Sequence, residues 1–202
     1  MQNQAKEQKR ALRAQCLAAR AALPLKEKHA LDAALCRVIA ESAAFAHADL
    51  LLLFSPVRGE PDLTPLAALA VARGIPVAFP RTESKEMTFH IASPEDLTER
   101  DRFGIPVPYA DAPLAHCTAR TLCVLPGLAA GLDGTRLGYG GGFYDRFLAT
   151  FKGSCLFPLY DFLVFPTLPF EDHDFRVAAL VTEKGERTLH GSSHTRAPAL
   201  PS

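Results

Sequence analysis

The 202-residue sequence has no excess of charge of either sign, because 22 lysines and arginines balance 22 aspartates and glutamates. Such a chain has no overall field that would attract nucleic acid or an anionic membrane surface. It also lacks an apolar run of membrane-spanning length, and its first residues are polar and charged, unlike a secretory signal. We therefore expect a cytoplasmic protein whose partner is a small molecule rather than nucleic acid or a membrane. No protein partner can be inferred.

The sequence contains no Cys-x-x-Cys pair, and its five cysteines are odd in number. This pattern argues against a zinc site and against a disulfide framework. We expect the cysteines to be reduced, buried and apolar in character, as is common in cytosolic proteins. The sequence has no internal repeat, and its length suffices for one well-buried domain, with two possible but not required.

Short apolar runs typical of strands alternate with segments of helical periodicity. Strands are predicted near residues 50–54, 75–79, 87–91, 121–125, 155–159 and 176–182, and helices near residues 5–21, 31–39, 64–73 and after residue 142. This alternation predicts βαβ units and a mainly parallel sheet that binds ligands at the carboxyl ends of its strands. We expect a single α/β domain over residues 1–189, with helices flanking the sheet in a Rossmann-like three-layer architecture. Residues 190–202 are polar and contain proline, which is typical of a disordered tail.

The most informative pattern is the segment of residues 134–146, Gly-Thr-Arg-Leu-Gly-Tyr-Gly-Gly-Gly-Phe-Tyr-Asp-Arg. Glycines let backbone N–H groups approach a ligand without interference from Cβ atoms, and successive N–H groups form an anion-binding nest. A predicted strand precedes the segment, and Phe143, Phe147 and Phe151 predict a helix after it. The glycines thus lie at a strand-to-helix junction, where free N–H groups favour phosphate.

The spacing of these glycines matches neither common phosphate-binding motif. There is no Gly-x-x-x-x-Gly-Lys-Ser/Thr, and Phe143 occupies the third glycine position of Gly-x-Gly-x-x-Gly. A glycine-rich turn alone is equally typical of a flexible or tightly turned loop. Arg136 and Arg146 favour the phosphate interpretation. Asp145 would repel a phosphate unless a cation lay between them, so the segment also indicates Mg²⁺.

Taken with its flanks, this segment resembles the 5-formyltetrahydrofolate cyclo-ligase family, also called 5,10-methenyltetrahydrofolate synthetases. The family's most specific stretch is Pro-Gly, followed later by Arg-Leu-Gly-x-Gly-x-Gly-Tyr-Tyr-Asp-Arg. It is matched by residues 126–127 and 136–146, with Phe143 for the first tyrosine. Weaker matches occur in order: Lys-x-x-Leu-Arg at 9–13, Glu-x-Asp at 60–62, Phe-Gly-Ile at 103–105, His-Asp at 173–174, and a strand ending in Thr182-Glu183.

The resemblance implies ATP- and Mg²⁺-dependent conversion of 5-formyltetrahydrofolate into 5,10-methenyltetrahydrofolate, with release of ADP and phosphate. Transfer of the γ-phosphoryl group to the formyl oxygen would produce an iminium phosphate, which the folate N10 attacks to close the ring. Such transfer depends mainly on positioning and charge neutralisation. No protein nucleophile is required.

The resemblance also implies roles for individual residues. The residues implied to bind ATP are Lys9, Arg10, Arg13, Arg136, Gly138, Tyr139, Gly140, Gly141, Gly142 and Tyr144. Ser55, Glu60 and Tyr144 would bind the folate, and Asp145 and Asp174 would bind Mg²⁺. Arg136, Tyr144 and Asp145 would be catalytic.

Each of these residues also has a simpler interpretation when it is taken alone. The N-terminal cations could form a solvated helix face, and Glu60 could be a solvated turn residue. Asp174 could belong to an exposed acidic turn, and His173 is expected at the surface because Mg²⁺ prefers oxygen ligands.

Four positions depart from the family pattern on the side expected to serve the folate: Val107, Gly131, Phe157 and Leu163. Two alternatives therefore stay open. One is an ATP-dependent enzyme of the same fold with a different substrate, since a fold does not fix the acceptor. The other is a non-catalytic nucleotide- or folate-binding protein, against which the retained metal carboxylates argue.

Overall fold

The computed structural model describes residues 2–169 and 176–189, with side chains from residue 5 onwards. The described helices are α1 (Gln2–Ala21), α2 (Leu25–Glu41), α3 (Ala43–Ala46), α4 (Pro65–Ala72) and α5 (Phe143–Leu148). The described strands are β1 (Leu50–Leu52), β2 (Val77–Glu83), β3 (Glu86–Ile91), β4 (Glu99–Arg100), β5 (Pro106–Val107), β6 (Thr121–Val124), β7 (Ala129–Gly131), β8 (Arg136–Leu137), β9 (Ser154–Pro158), β10 (Val164–Phe165), β11 (Ala179–Thr182) and β12 (Gly185–Thr188).

The main sheet has seven strands in the order β12-β11-β9-β6-β1-β2-β3. Its five inner strands run parallel, and the two edge strands pair antiparallel to their neighbours. β1 and β6 are buried along their whole length, as expected for the centre of a parallel sheet covered on both faces. The predicted α/β domain with a mainly parallel sheet and flanking helices is confirmed. The predicted tail, residues 190–202, lies outside the described residues.

The predicted boundaries of α4 are nearly correct. Pro65 occupies the first turn, and Gly74 follows the helix with a φ of +72°. Thr64, which precedes the helix, makes no capping hydrogen bond, and its hydroxyl instead donates to Asp62 Oδ1 (2.7 Å).

A β-hairpin that was not predicted separates β6 from the glycine-rich segment. β7 and β8 pair antiparallel, and β10 adds a parallel strand beside β7. The strand that leads into the glycines is therefore β8 rather than the predicted strand at residues 121–125. The prediction missed it because strands of two or three residues are too short to show alternation.

Aromatic contacts fix α5 against the sheet. The helix is shorter than predicted, since it ends at Leu148, yet the Phe151 ring stays 5.1 Å from that of Phe147. Phe147 in turn packs 5.0 Å from Phe89 of β3. The residues that follow the glycines are thereby held close to the edge of the main sheet.

The cysteines are free, as expected, and four of the five are buried. Cys117 is exposed, so the expectation of burial is wrong for that residue. In the described part of the chain, no helix has both the length and the apolar character needed to cross a membrane.

Candidate active site

Two cavities share the glycine loop (residues 138–142) as a common wall. The first, which we call the apolar cavity, has a volume of about 510 Å³ and is lined in part by Phe54, Val57, Pro80, Met87, Ile105 and Val107. The second, the cationic cavity, has a volume of about 620 Å³. Ser55 and Pro126, which follow β1 and β6, also line the apolar cavity. It therefore opens at the carboxyl ends of parallel strands, where ligands were expected.

Basic side chains dominate the lining of the cationic cavity, which includes Lys6, Lys9, Arg13, Arg136 and Arg146. Asp145 is the one carboxylate among the described lining residues. Such an arrangement matches a polyphosphate, because several cations can each donate charge-assisted hydrogen bonds to phosphate oxygens. Three of these cations lie on α1, which places the N-terminal helix in the site.

One face of α1 packs onto the glycine loop. Lys9, Arg13, Cys16 and Arg20 follow one another at helical spacings of four, three and four residues, so they share a face. Lys9 and Arg20 are only 5% and 3% exposed, and the interpretation of a solvated basic face is therefore wrong for these two residues. The Arg13 Nε donates to the Gly138 carbonyl oxygen at 2.9 Å.

Arg20 lines neither cavity, but it supports residues of the site, a role that the sequence interpretation missed. Its guanidinium donates to the Tyr139 hydroxyl (3.2 Å) and to the Gly127 carbonyl oxygen. The available signal was the helical spacing that aligns it with Arg13. Arg10, in contrast, is exposed, lies 3.7 Å from Glu7 and lines neither cavity.

Two glycines of the loop adopt conformations that favour glycine strongly. Gly140 has a φ of +92° and Gly142 a φ of +65°. A Cβ atom at Gly142 would lie 2.7 Å from Arg146 Nη1, a contact that would force a movement. Arg146 holds the loop by donating to the carbonyl oxygens of Lys85 (2.9 Å) and Gly141 (3.2 Å).

An ion pair lies in the wall between the cavities. Arg136 Nη2 donates to Asp145 Oδ1 at 2.7 Å, and Nη1 donates to the Pro126 carbonyl oxygen at 3.1 Å. The Arg136 side chain is 5% exposed and that of Asp145 is 30% exposed. Both residues line both cavities, so a ligand in either can contact them.

The predicted magnesium ligands are described only in part. Asp145 is in the site, but Asp174 and its neighbour His173 lie outside the described residues. Over residues 2–169 and 176–189, no three His, Cys, Asp or Glu side chains are grouped to hold a metal ion. A magnesium site on this chain therefore stays a prediction.

Glu60 is buried in the wall of the apolar cavity and is only 2% exposed, unlike a solvated turn residue. The turn before it is tight: the Val57 N–H donates to Glu60 Oε2 (3.0 Å), and the Glu60 N–H donates back to the Val57 carbonyl oxygen (3.0 Å). Gly59, with a φ of +72°, lets Arg20 of α1 approach this turn. Burial raises the pKa of Glu60 from its ordinary 4.5 to about 7, against the opposing effects of the Val57 N–H and Arg20.

The other residues predicted to bind folate also line the apolar cavity. The Tyr144 hydroxyl is buried and has no hydrogen-bond partner among the described residues, and burial raises the pKa of this tyrosine. The Ser55 hydroxyl donates to the Pro106 carbonyl oxygen at 2.6 Å. Tyr139, Gly141 and Tyr144, which the resemblance assigned to ATP, line this cavity and not the cationic one.

The Phe-Gly-Ile segment lies at the apolar cavity, although the sequence suggested no role for it. Phe103 is 53% exposed and its ring meets that of Phe143 edge to face, with 6.2 Å between centroids. The Asp101 carboxylate fixes the turn by accepting hydrogen bonds from the Phe103 N–H (2.8 Å) and the Ile105 N–H (3.0 Å).

The four positions that depart from the family pattern differ in their surroundings. Val107 is buried and lines the apolar cavity. Gly131, Phe157 and Leu163 are buried and line neither cavity. These three departures therefore concern the packing of the core rather than the walls of the cavities.

Comparison with known proteins shows the family and the fold of this chain. The model of the 5-formyltetrahydrofolate cyclo-ligase family matches residues 5–183. The NMR structure of 5,10-methenyltetrahydrofolate synthetase from Aquifex aeolicus is 30% identical, with a TM-score of 0.78 over 95% of this chain and 97% of that chain. A 5,10-methenyltetrahydrofolate synthetase from Mycoplasma pneumoniae shares the fold at 20% identity, with a TM-score of 0.69 over 87% of this chain and 98% of that chain. Curated proteins yield no match.

The family model covers the N-terminal helix from residue 5 onwards, both cavities and the glycine loop. The resemblance inferred from the sequence motifs is confirmed. The chain belongs to the 5-formyltetrahydrofolate cyclo-ligase family, and it is an enzyme of the ligase class.

Proposed function

We propose that this protein catalyses the ATP- and Mg²⁺-dependent cyclisation of 5-formyltetrahydrofolate to 5,10-methenyltetrahydrofolate, with release of ADP and phosphate. One observation supports this function best: the cationic and apolar cavities share Arg136, Asp145 and the glycine loop as a wall. A phosphoryl donor in one cavity and its acceptor in the other would meet at this wall. Phosphoryl transfer needs such positioning more than it needs covalent catalysis by the protein.

The cationic cavity fits the phosphates of ATP. Lys9, Arg13 and Arg136 would contact the phosphate oxygens, and the backbone of the glycine loop would approach them closely. Arg13 already donates to Gly138, so the helix that carries the cations and the loop are held together before any ligand binds. Such preorganisation lowers the cost of ordering the site on binding.

Asp145 is the described residue that fits Mg²⁺. Its carboxylate is partly exposed in the shared wall and offers the oxygen ligand that this ion prefers. ATP oxygens and water would complete the coordination, with Asp174 as a second protein ligand in our proposal. When bound, the ion would neutralise charge on the phosphoryl oxygens.

The apolar cavity fits a reduced folate. Its volume of about 510 Å³ lies in the range of small-molecule sites, and its walls combine apolar side chains with a few polar groups. Glu60, Ser55 and Tyr144 would contact the polar atoms of the folate. Phosphorylation of the formyl oxygen would convert it into a good leaving group, so that N10 can close the ring. Arg136 lies where it would stabilise the charge that moves between donor and acceptor.

The deciding experiment is a turnover assay with the purified protein, 5-formyltetrahydrofolate, ATP and Mg²⁺. We expect the near-ultraviolet absorbance of the methenyl product to rise, with ADP and phosphate released in equal amounts. Phosphate release without a methenyl product would instead favour an acceptor other than this folate. ATP binding without any turnover would favour a non-catalytic binding protein.

A further inference from the structure

Ring closure releases the proton of N10, and the proposed function does not yet assign an acceptor for it. We propose that Glu60 is this acceptor and acts as the general base of the cyclisation through its Oε1 atom. The inference rests on the proposed function and adds a catalytic role to a residue that was expected only to contact the folate.

The step balances as follows. The N10 lone pair forms a bond to the formyl carbon, and the N10 proton passes to Glu60 Oε1. The bond between that carbon and the phosphorylated oxygen then breaks, and its electron pair leaves with phosphate. The product is the methenyl cation, and Glu60 later returns the proton to water.

The two carboxyl oxygens of Glu60 have different surroundings: one is held by a hydrogen bond, and the other makes none. Oε2 accepts the Val57 N–H at 3.0 Å, which fixes the carboxyl group. Oε1 is buried and has no hydrogen-bond partner in the described part of the chain. An unpartnered buried carboxylate oxygen costs stability, and in native structures such groups often serve catalysis or binding. A proton donor on the ligand would satisfy it.

The other described carboxylates of the apolar cavity are already engaged. Asp101 Oδ1 accepts two backbone N–H groups, and Oδ2 accepts the Thr82 hydroxyl at 3.0 Å. Asp145 is ion-paired with Arg136. Asp145 is partly exposed, so Glu60 is the described acidic residue of the apolar cavity that has a buried oxygen without a partner.

The groups around Glu60 leave it without a direct ion pair among the described residues. Arg20 of α1 directs its hydrogen bonds to Tyr139 and Gly127, and Arg58 of the same turn packs over the Tyr139 ring at 5.7 Å. The Tyr139 hydroxyl and both arginines lie near the Glu60 carboxyl group, and each of them lowers its pKa. Tyr144 of α5 lines the same cavity and is uncharged near neutral pH, because burial and, to a smaller extent, the charges of Cys123 and Glu60 raise its pKa. Burial dominates these effects and raises the pKa of Glu60 to about 7, close to the value at which a general base works best near neutral pH.

The test measures kcat and KM between pH 5.5 and 9 for the wild type, Glu60→Gln and Glu60→Asp. Glutamine keeps the size of the side chain and can still accept the Val57 N–H. We expect Glu60→Gln to lower kcat by roughly 100- to 10,000-fold, the usual contribution of a general base, with each KM changed only a few-fold. The wild-type fall in kcat below pH 7 should be absent from the residual activity. Glu60→Asp should retain part of kcat together with the acidic limb.

Two further variants control for structure. Glu86→Gln removes an exposed carboxylate of β3 that lines neither cavity, and it should leave kcat and the pH profile unchanged. Glu60→Ala should regain activity when formate is added, because a small base can occupy the vacated space. A structural role for Glu60 would not yield such rescue.

Several results would overturn the inference. A Glu60→Gln kcat within about threefold of the wild type would do so, as would an acidic limb that persists in this variant. A raised folate KM with unchanged kcat would show that Glu60 binds the substrate without accepting a proton. No turnover by the wild type would instead remove the proposed function itself.

Discussion

The burial of Glu60 should make the stability of this protein depend on pH, and replacement of the carboxyl group by an amide should remove that dependence. Its side chain is 2% exposed, and its pKa is raised from 4.5 to about 7 by burial. The folded state therefore binds the proton more tightly than the unfolded state does. The free energy of unfolding of the wild type should fall as pH rises from about 4.5 to about 7 and stay low above that range. Glu60→Gln lacks this dependence.

The magnitude follows from the two pKa values. Each tenfold change in proton affinity corresponds to about 1.4 kcal/mol, so the full cost of charging Glu60 is about 3 kcal/mol. Part of this cost is already present at pH 5. We therefore expect the stability advantage of Glu60→Gln to be about 2 to 3 kcal/mol larger at pH 8 than at pH 5. The cost of burying an amide N–H is independent of pH and cancels in this comparison.

Urea unfolding of both proteins at pH 5, 6, 7 and 8 measures the effect, with Glu86→Gln as the exposed control. The control should differ from the wild type by a constant amount over this range. Parallel curves for the wild type and Glu60→Gln would show that Glu60 is not desolvated in the folded protein. In that case its raised pKa, and the pH profile expected for catalysis, would both be refuted.

Three other predictions address the glycine loop and its supports. Gly140→Ala and Gly74→Ala both place a side chain at positive φ, and each should cost about 1 to 2 kcal/mol of stability. Only Gly140→Ala should weaken ATP binding in titration calorimetry, and equal ATP affinities of the two variants would remove the loop from the phosphate site. Arg20→Met should lower the free energy of unfolding by about 2 to 4 kcal/mol in urea titrations, because Tyr139 and Gly127 lose a buried charged donor. A loss smaller than about 0.5 kcal/mol would contradict the stabilising role of Arg20. Asp145→Asn should lower kcat and raise the Mg²⁺ concentration needed for half-maximal turnover, and an unchanged Mg²⁺ titration would exclude it as a ligand.

The parts of the fold with a clear periodicity could be predicted from sequence. α1 and α2 are long enough to show a helical pattern, and the inner strands show as apolar runs. The β7–β8 hairpin could not be predicted, because its strands have three and two residues and are stabilised by contacts with β10, which follows more than 25 residues later. Such short elements depend on tertiary packing rather than on local pattern.

The site was predicted best in the glycine-rich segment, where the residue type itself determines which backbone conformations are allowed. Gly140 and Gly142 have the positive φ angles that their residue type permits. The burial of charged groups could not be predicted from residue type. Arg20 is buried by Gly127 and Tyr139, which lie more than 100 residues along the chain, and nothing in the local sequence of α1 shows them. For the same reason the sequence could suggest that Glu60 faces a ligand but not that its proton affinity is raised.

The wall that the two cavities share has a thermodynamic consequence for the order in which ligands bind. A ligand in the cationic cavity that fixes Arg136 also fixes part of the surface that the other ligand must contact. The coupling is reciprocal, because the factor by which nucleotide strengthens folate binding equals the factor by which folate strengthens nucleotide binding. Coupling free energies of about 1 to 3 kcal/mol are typical between linked sites. At subsaturating concentrations, the doubly occupied protein would then be more abundant than independent sites would permit, and nucleotide bound without its acceptor would be correspondingly rare.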